Sequence, residues 1–107
     1  MATRRERLEA MLVDEPRDSF LRYGLAVELA KEGEEARALE LFRELMGDQP
    51  PYVAAFARAA QLWEKQGQIA EARAALRTGI ETARQQGDTH AAGEMSEFLV
   101  ALGSRGE

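Results

Sequence analysis

The sequence repeats itself at a spacing of 34 residues, and this spacing limits the folds that are open to the chain. A shift of 34 places aligns six pairs of identical residues without a gap: Ala26/Ala60, Lys31/Lys65, Gly33/Gly67, Ala36/Ala70, Ala38/Ala72 and Arg43/Arg77. Apolar character is kept at four more pairs: Leu25/Ala59, Leu29/Trp63, Phe42/Leu76 and Met46/Ile80. A repeat of this length is typical of small units that stack because no single unit buries its apolar face alone.

Each unit is predicted to be helical. The strong helix formers Ala, Leu, Glu, Arg and Gln dominate, and no stretch alternates apolar with polar residues over the length of a strand. Glycines and prolines divide the chain into six predicted helices, near residues 2–14, 19–32, 35–47, 52–66, 69–86 and 89–102. Because the connections are short, neighbouring helices must be antiparallel, and the chain is predicted to be all-α.

The ends of these helices carry the expected capping chemistry. Asp18 and Asp88 stand where a side chain at the helix start accepts hydrogen bonds from free backbone N–H groups. Gly33, Gly67 and Gly103 stand where a residue with positive φ closes a helix. We therefore expect Gly33 and Gly67 to occupy equivalent corners of the two units.

Small and large residues alternate where the paired helices should cross. Ala26 with Ala38, and Ala60 with Ala72, are small enough for close approach of two helix backbones. The space beside them is predicted to be filled by Leu29, Phe42, Trp63 and Leu76. In the last helix, an apolar stripe of Met95, Phe98, Leu99 and Leu102 is expected to cover the preceding unit.

The repeating unit resembles the tetratricopeptide repeat family. It has two helices in 34 residues, small residues where the helices cross, a Gly at the turn and a Pro at the end of the unit. The chain is similar to a small two-repeat member of the bacterial type. The residues that carry the match are Leu25, Ala26, Leu29, Gly33, Ala38, Phe42 and Pro50 in the first unit, and Phe56, Ala59, Ala60, Trp63, Gly67, Ala72 and Leu76 in the second. The chain departs from the family pattern at Arg22, where a large aromatic residue is usual, and at Leu45 and Gly79, where Ala is favoured.

The resemblance implies a right-handed α-solenoid of antiparallel helical hairpins, with about six helices in one domain over residues 1–103. We divide this domain into an N-terminal half-repeat helix (1–15), two repeats (19–52 and 53–86) and a C-terminal capping helix (88–103). Residues 104–107 are expected to form a disordered tail.

The resemblance also implies a function. In such a stack the first helix of each unit lines a concave groove, and the chain is expected to be a non-enzymatic adaptor that binds a protein or peptide there. The partner-binding residues that this implies are Phe20, Tyr23, Val27, Lys31, Ala54, Ala57, Gln61 and Lys65. Phe20 and Tyr23 would act as apolar anchors, and the two lysines would hold carboxylates of the partner. In the alternative, Phe20 and Tyr23 pack on Leu8 and Met11 of the first helix and leave no open groove.

Composition excludes other classes of function. The chain has 14 Lys and Arg against 19 Asp and Glu, for a formal net charge of −5, which argues against a nucleic-acid partner. No apolar run approaches the roughly 20 residues that span a bilayer, so neither a membrane partner nor a membrane location is expected, and the protein is predicted to be cytoplasmic. The absence of Cys excludes thiolate metal sites and the single His removes most histidine-based ones, so no metal or cofactor is expected.

Two rival functions are also compatible with the sequence. The first is self-association, in which the apolar stripe of a terminal helix packs on a second copy and makes the protein a structural or oligomerisation module. The second is a small enzyme that uses acidic residues with His90. His90 and Glu94 are four residues apart on one predicted helix, but two ligands without a third are a weak metal site.

Overall fold

A computed structural model describes residues 1–103 and 105, and these residues form six α-helices without a strand. The helices are α1 (Arg4–Asp14), α2 (Ser19–Lys31), α3 (Glu35–Met46), α4 (Ala54–Lys65), α5 (Ile69–Gln85) and α6 (Thr89–Leu102). Helices α2 and α3 form one hairpin and α4 and α5 the next, with α1 packed on α2 and α6 on α5. The prediction of an all-α chain of antiparallel hairpins is therefore confirmed.

Side-chain caps begin three of the helices. The Asp18 carboxylate accepts a hydrogen bond from the Leu21 amide at 2.9 Å, and the Asp88 carboxylate accepts one from the Ala91 amide at 3.0 Å, as predicted. Helix α1 begins with a reciprocal pair, in which the side chains of Thr3 and Glu6 each accept from the backbone amide of the other. This arrangement uses Ser or Thr followed three residues later by Glu or Gln, so its signal was present in the sequence.

The two units end their first helices in the same way. Gly33 has a φ angle of +84° and Gly67 one of +77°, which places them at equivalent corners as expected. At both corners the amide of the next residue donates to the carbonyl five positions earlier, at 2.8 Å. Gly87, with φ at +75°, repeats the same hydrogen bond after α5. The 34-residue period is thus visible in the backbone hydrogen bonds as well as in residue identity.

The core consists of two adjoining clusters, one formed by α1, α2, α3 and one side of α4, and the other mainly by α4, α5 and α6. The four alanines at the predicted crossings, Ala26, Ala38, Ala60 and Ala72, are fully buried. Phe42 is buried in the first cluster and Leu76 in the second. Trp63 is only partly buried and packs against both clusters, so it joins the two units rather than filling one of them.

The last helix is fixed at its C-terminal end. The guanidinium group of Arg73, a buried residue of α5, donates hydrogen bonds to the backbone carbonyls of Gly103 and Arg105. The Arg105 side chain pairs with Glu64 at 3.3 Å. These contacts connect the segment that follows α6 to α5 and α4. Of the tail predicted over 104–107, residues 104, 106 and 107 lie outside the described residues.

Candidate functional site

Residues of α2 and α4, the first helices of the repeats, and of α6 line one cleft of about 220 Å³. We call this cleft the groove. Its lining residues are Tyr23, Val53, Ala54, Ala57, Arg58, Gln61, Asp88, Ala91, Glu94 and Met95. Four of the eight predicted partner-binding residues are among them, namely Tyr23, Ala54, Ala57 and Gln61.

Tyr23 is held in place by contacts from both repeats. Its ring meets Phe42 edge-on at a centroid distance of 5.9 Å and lies 5.3 Å from the ring of Tyr52. Its hydroxyl oxygen accepts a hydrogen bond from Nε of Arg58 at 3.1 Å. The aromatic partners of Tyr23 therefore come from α3 and from the connection before α4, and not from α1. A side chain fixed on two sides loses little further entropy when a ligand packs on it.

Small residues of α4 form the floor of the groove. Ala54 is exposed, Ala57 is half-buried, and Gln61 extends from the same face one turn further on. Residues at i, i+3 and i+7 share one face of a helix, so these three residues, which the family resemblance implied, lie on the same side of α4. The floor is apolar in the middle, with Arg58 and Gln61 along its rim.

The other four predicted residues do not line the groove. The side chain of Phe20 is 70% exposed and lies in a separate hollow beside Met11. Val27 is half-buried against the first core cluster. Lys31 is exposed, with Nζ 3.5 Å from a carboxylate oxygen of Glu28 on its own helix.

Lys65 is engaged within the chain. Its Nζ lies 2.6 Å from Oε2 of Glu35. The side-chain amide of Gln66 donates a hydrogen bond to Oε1 of the same carboxylate at 3.3 Å. The hydrogen bond from Lys65, and then the one from Gln66, lower the pKa of Glu35 below its usual value. This pair connects the end of α4 to the start of α3, so it connects the two repeats.

A family model described as tetratricopeptide repeat matches residues 29–94, which is more than half of the chain. This chain belongs to the tetratricopeptide repeat family. It is 33% identical over 97 residues to a TPR repeat-containing protein of Pseudomonas aeruginosa, with 91% of this chain and 92% of the relative covered.

Two solved structures have the same fold. A protein from Bordetella parapertussis, determined in solution, superposes with a TM-score of 0.80 at 31% identity, covering 95% of this chain and 89% of that one. A tetratricopeptide repeat domain protein from Salinibacter ruber, determined by NMR, superposes with a TM-score of 0.78 at 33% identity, covering 82% of this chain and 89% of that one. The all-α tetratricopeptide repeat solenoid predicted from the period is therefore confirmed.

Sequence reasoning missed the part of the groove that α6 supplies, because it treated this helix only as a cap. Ala91, Glu94 and Met95 of α6 line the groove, together with the α4 residue Arg58. In the tetratricopeptide repeat pattern, α6 occupies the place of the first helix of a third unit. In the structure α2, α4 and α6 begin at equal steps of 35 residues, at 19, 54 and 89, whereas the starts predicted from the sequence, near 19, 52 and 89, do not show this regularity.

A second cleft, of about 590 Å³, adjoins the groove at the N-terminal ends of α2 and α4, and the two share Val53, Ala54 and Asp88. We call it the polar cleft. Arg22, which replaces the aromatic residue usual in tetratricopeptide repeats, lies here and pairs with Asp48 at 2.6 Å. An ion pair between α2 and the loop after α3 thus takes the place of an aromatic contact within the first hairpin.

Within the described part of the chain, no group of three His, Asp or Glu side chains is placed to hold a metal ion. His90 Nε2 lies 3.2 Å from Oε1 of Glu94, and both side chains are exposed. Over the same residues, no helix has the length and hydrophobicity needed to cross a membrane.

Proposed function

We propose that this chain is a non-enzymatic adaptor that binds a peptide or protein partner in the groove. Tetratricopeptide repeats serve generally in interactions between proteins, and the chain belongs to that family. The observation that supports this site most directly is the cleft across α2, α4 and α6, with Tyr23 fixed on one side and a floor of alanines open to solvent. A cytoplasmic location is part of the proposal.

The size of the groove favours a side chain of a partner over a whole small molecule. Sites for small molecules usually measure about 300 to 1,000 Å³, and the groove measures about 220 Å³. An apolar side chain that enters between Ala57 and Met95 would be covered on two sides. The adjoining polar cleft gives the flanking backbone of the partner a continuous path along the N-terminal ends of the helices.

Charges around the groove are of both signs. Arg58 lies on one side, and Asp88 and Glu94 lie on the other. A mixed rim favours a partner segment with an apolar anchor and polar residues of both signs beside it, since charges at an interface act mainly on specificity and orientation. We assign the anchoring contacts to Tyr23, Ala54 and Ala57, and the polar contacts to Gln61 and Arg58.

An experiment with two matched variants tests the groove. Ala54→Arg places a long side chain at the groove from an exposed position, so the fold should be retained. Ala70→Arg makes the same change at an exposed position of α5 outside the groove. Affinity capture from native lysate, read by mass spectrometry, should recover the same proteins with the wild type and Ala70→Arg and lose them with Ala54→Arg. Identical recovery by all three proteins would contradict the assignment.

Self-association is the alternative function, and the apolar stripe of α6 is the surface that the sequence suggested for it. Met95 and Leu102 of the α6 stripe are buried in the chain's own core, where they pack on α5 and α4. Phe98 and Leu99 of the stripe are partly buried against the same cluster, so a second copy would reach only part of the stripe. Sedimentation velocity over a range of concentrations decides the question, because a constant mass of 11.9 kDa excludes a stable oligomer.

A further inference from the structure

An exposed apolar patch lies at the end of the stack formed by α1 and α2, one helical turn before Tyr23, and shares no lining residue with the groove. Its centre is Met11, which is 53% exposed, and Phe20, which is 70% exposed. They border a hollow of about 300 Å³, whose other lining residues are Asp14, Glu15, Asp18 and Leu21. We call this surface the end patch. Large apolar side chains exposed side by side and rimmed by polar residues are typical of an interaction site.

The charged residues that line the end patch are acidic. Three carboxylates, those of Asp14, Glu15 and Asp18, border the two apolar side chains, and no Lys or Arg among the described residues lines the hollow. Among the described residues, none of the three takes part in an ion pair within the chain, and the side chain of Asp18 makes only its capping bond to the Leu21 amide.

Several neighbouring acids differ from these three. Four carboxylates of the first three helices and their connections pair with arginines of the chain, namely Glu9 with Arg5, Glu28 with Arg4, Glu32 with Arg5 and Asp48 with Arg22. The acids at the end patch therefore present a local negative potential beside an apolar surface.

From this geometry we infer that the end patch binds a short cationic amphipathic segment of a partner protein, which places apolar side chains on Met11 and Phe20 and Lys or Arg against Asp14, Glu15 and Asp18. The interaction is separate from the groove. Opposite charges on the two surfaces increase the association rate and select the partner. The same carboxylates disfavour anionic lipid surfaces and nucleic acid, because phosphate groups would face unpaired negative charge.

The size of the end patch favours a segment over a second folded copy. Two exposed side chains and their rim are far smaller than the roughly 800 Å² that each partner contributes to a stable interface between folded proteins. An amphipathic helix or extended segment needs only one or two anchors and gains the rest of its affinity from the flanking charges.

The probe for the test is a short synthetic peptide, labelled with a fluorophore, with Leu at every third or fourth position and Lys at the others. The matched control peptide has Glu at each Lys position. Fluorescence anisotropy should show binding of the Lys peptide only, weakening as salt is added. Amide shifts in NMR spectra should be concentrated between Met11 and Leu21.

Substitutions in the end patch distinguish binding at this surface from a nonspecific effect of the net negative charge of the protein. Phe20→Ala, and the triple variant Asp14→Asn, Glu15→Gln and Asp18→Asn, should each weaken binding of the Lys peptide by about tenfold. Asn keeps the cap at position 18, so helix α2 is retained. A control triple at exposed acids elsewhere, Glu40→Gln, Glu71→Gln and Glu97→Gln, changes the net charge equally and should alter binding by no more than about twofold. Ala54→Arg should leave this binding unchanged, which separates a failure here from a failure of the groove.

Four results would overturn the inference. The first is equal binding of the Lys and Glu peptides, and the second is equal loss of binding in the two triple variants. The third is a set of shifts centred on Tyr23 and Ala57 instead of the end patch. The fourth is a different occupant of the end patch. A concentration-dependent dimer that Phe20→Ala abolishes would assign the patch to a second copy, and co-sedimentation with vesicles of anionic lipid would assign it to a membrane.

Discussion

Gly79 of α5 lies so close to Phe56 of α4 that a Cβ atom at position 79 would be 2.6 Å from the Cβ atom of Phe56. The same added atom would be 2.7 Å from the sulfur of Met95 on α6. The departure from the family's usual Ala at this position therefore has a physical reason. A residue without a side chain lets α5 contact α4 and α6 at the same level of the core.

We predict that Gly79→Ala lowers the free energy of unfolding by about 1 to 3 kcal/mol, because overpacking a filled core exceeds the gain in helix propensity. Gly93 of α6 provides the control, since nothing lies within 4 Å of a Cβ added there. Gly93→Ala should be neutral or stabilising by up to about 1 kcal/mol. Urea denaturation followed by circular dichroism measures both, and equal effects of the two substitutions would contradict the packing argument.

The helix order and much of the core could be predicted from the sequence because they depend on local or periodic signals. Asp18 and Gly33 determine a helix start and a helix end through contacts within a few residues. Ala26 and Ala38 were identified because the repeat places the same small residues at the same crossing in the next unit. Signals of this kind do not require knowledge of which surfaces meet in three dimensions.

The candidate site was harder to predict, because a position on a helix does not say what lies opposite. Phe20 and Tyr23 lie about one turn apart on α2, yet Tyr23 lines the groove and Phe20 lines the end patch. Lys65 was expected to face a partner, and its long side chain reaches Glu35 of the neighbouring repeat. The contribution of Met95 required knowing that α6 lies beside α4 at the groove.

Phe42 and Trp63 should differ in their effect on stability, although the sequence places them in equivalent roles. Phe42 is 1% exposed, so Phe42→Ala removes a fully buried ring and should cost about 3 to 5 kcal/mol. Trp63→Ala should cost less, because part of the indole is already in contact with water. Chemical denaturation followed by circular dichroism gives both values, and a larger loss for Trp63→Ala would show that the junction between the clusters matters more than the core of one repeat.

The equivalence of the two corners leads to a third prediction. Gly33 and Gly67 both have positive φ, and nothing lies within 4 Å of a Cβ added at either one. Substitution by Ala should therefore cost only the backbone strain of the left-handed region, about 1 to 2 kcal/mol at each position. Thermal or urea denaturation of Gly33→Ala and Gly67→Ala should give similar losses. A loss at one corner only would mean that the two corners are not energetically equivalent.

The pair of Lys65 and Glu35 makes stability depend on pH in a defined direction. The hydrogen bond from Lys65 lowers the pKa of Glu35 in the folded chain, so the unfolded chain binds a proton at higher pH than the folded one. The stabilisation from this pair is therefore present above the usual glutamate pKa of about 4.3 and is lost as the pH falls through the lower pKa of the folded state.

Lys65→Met should lower the free energy of unfolding at pH 7, and the difference from the wild type should disappear in strongly acidic solution. NMR titration of the Glu35 carboxyl should show a higher midpoint in Lys65→Met, with Lys31→Met as the control, because Lys31 contacts Glu28 instead. An unchanged midpoint for Glu35 would mean that Lys65 is not held at Glu35 and is open to a partner, as the sequence first suggested.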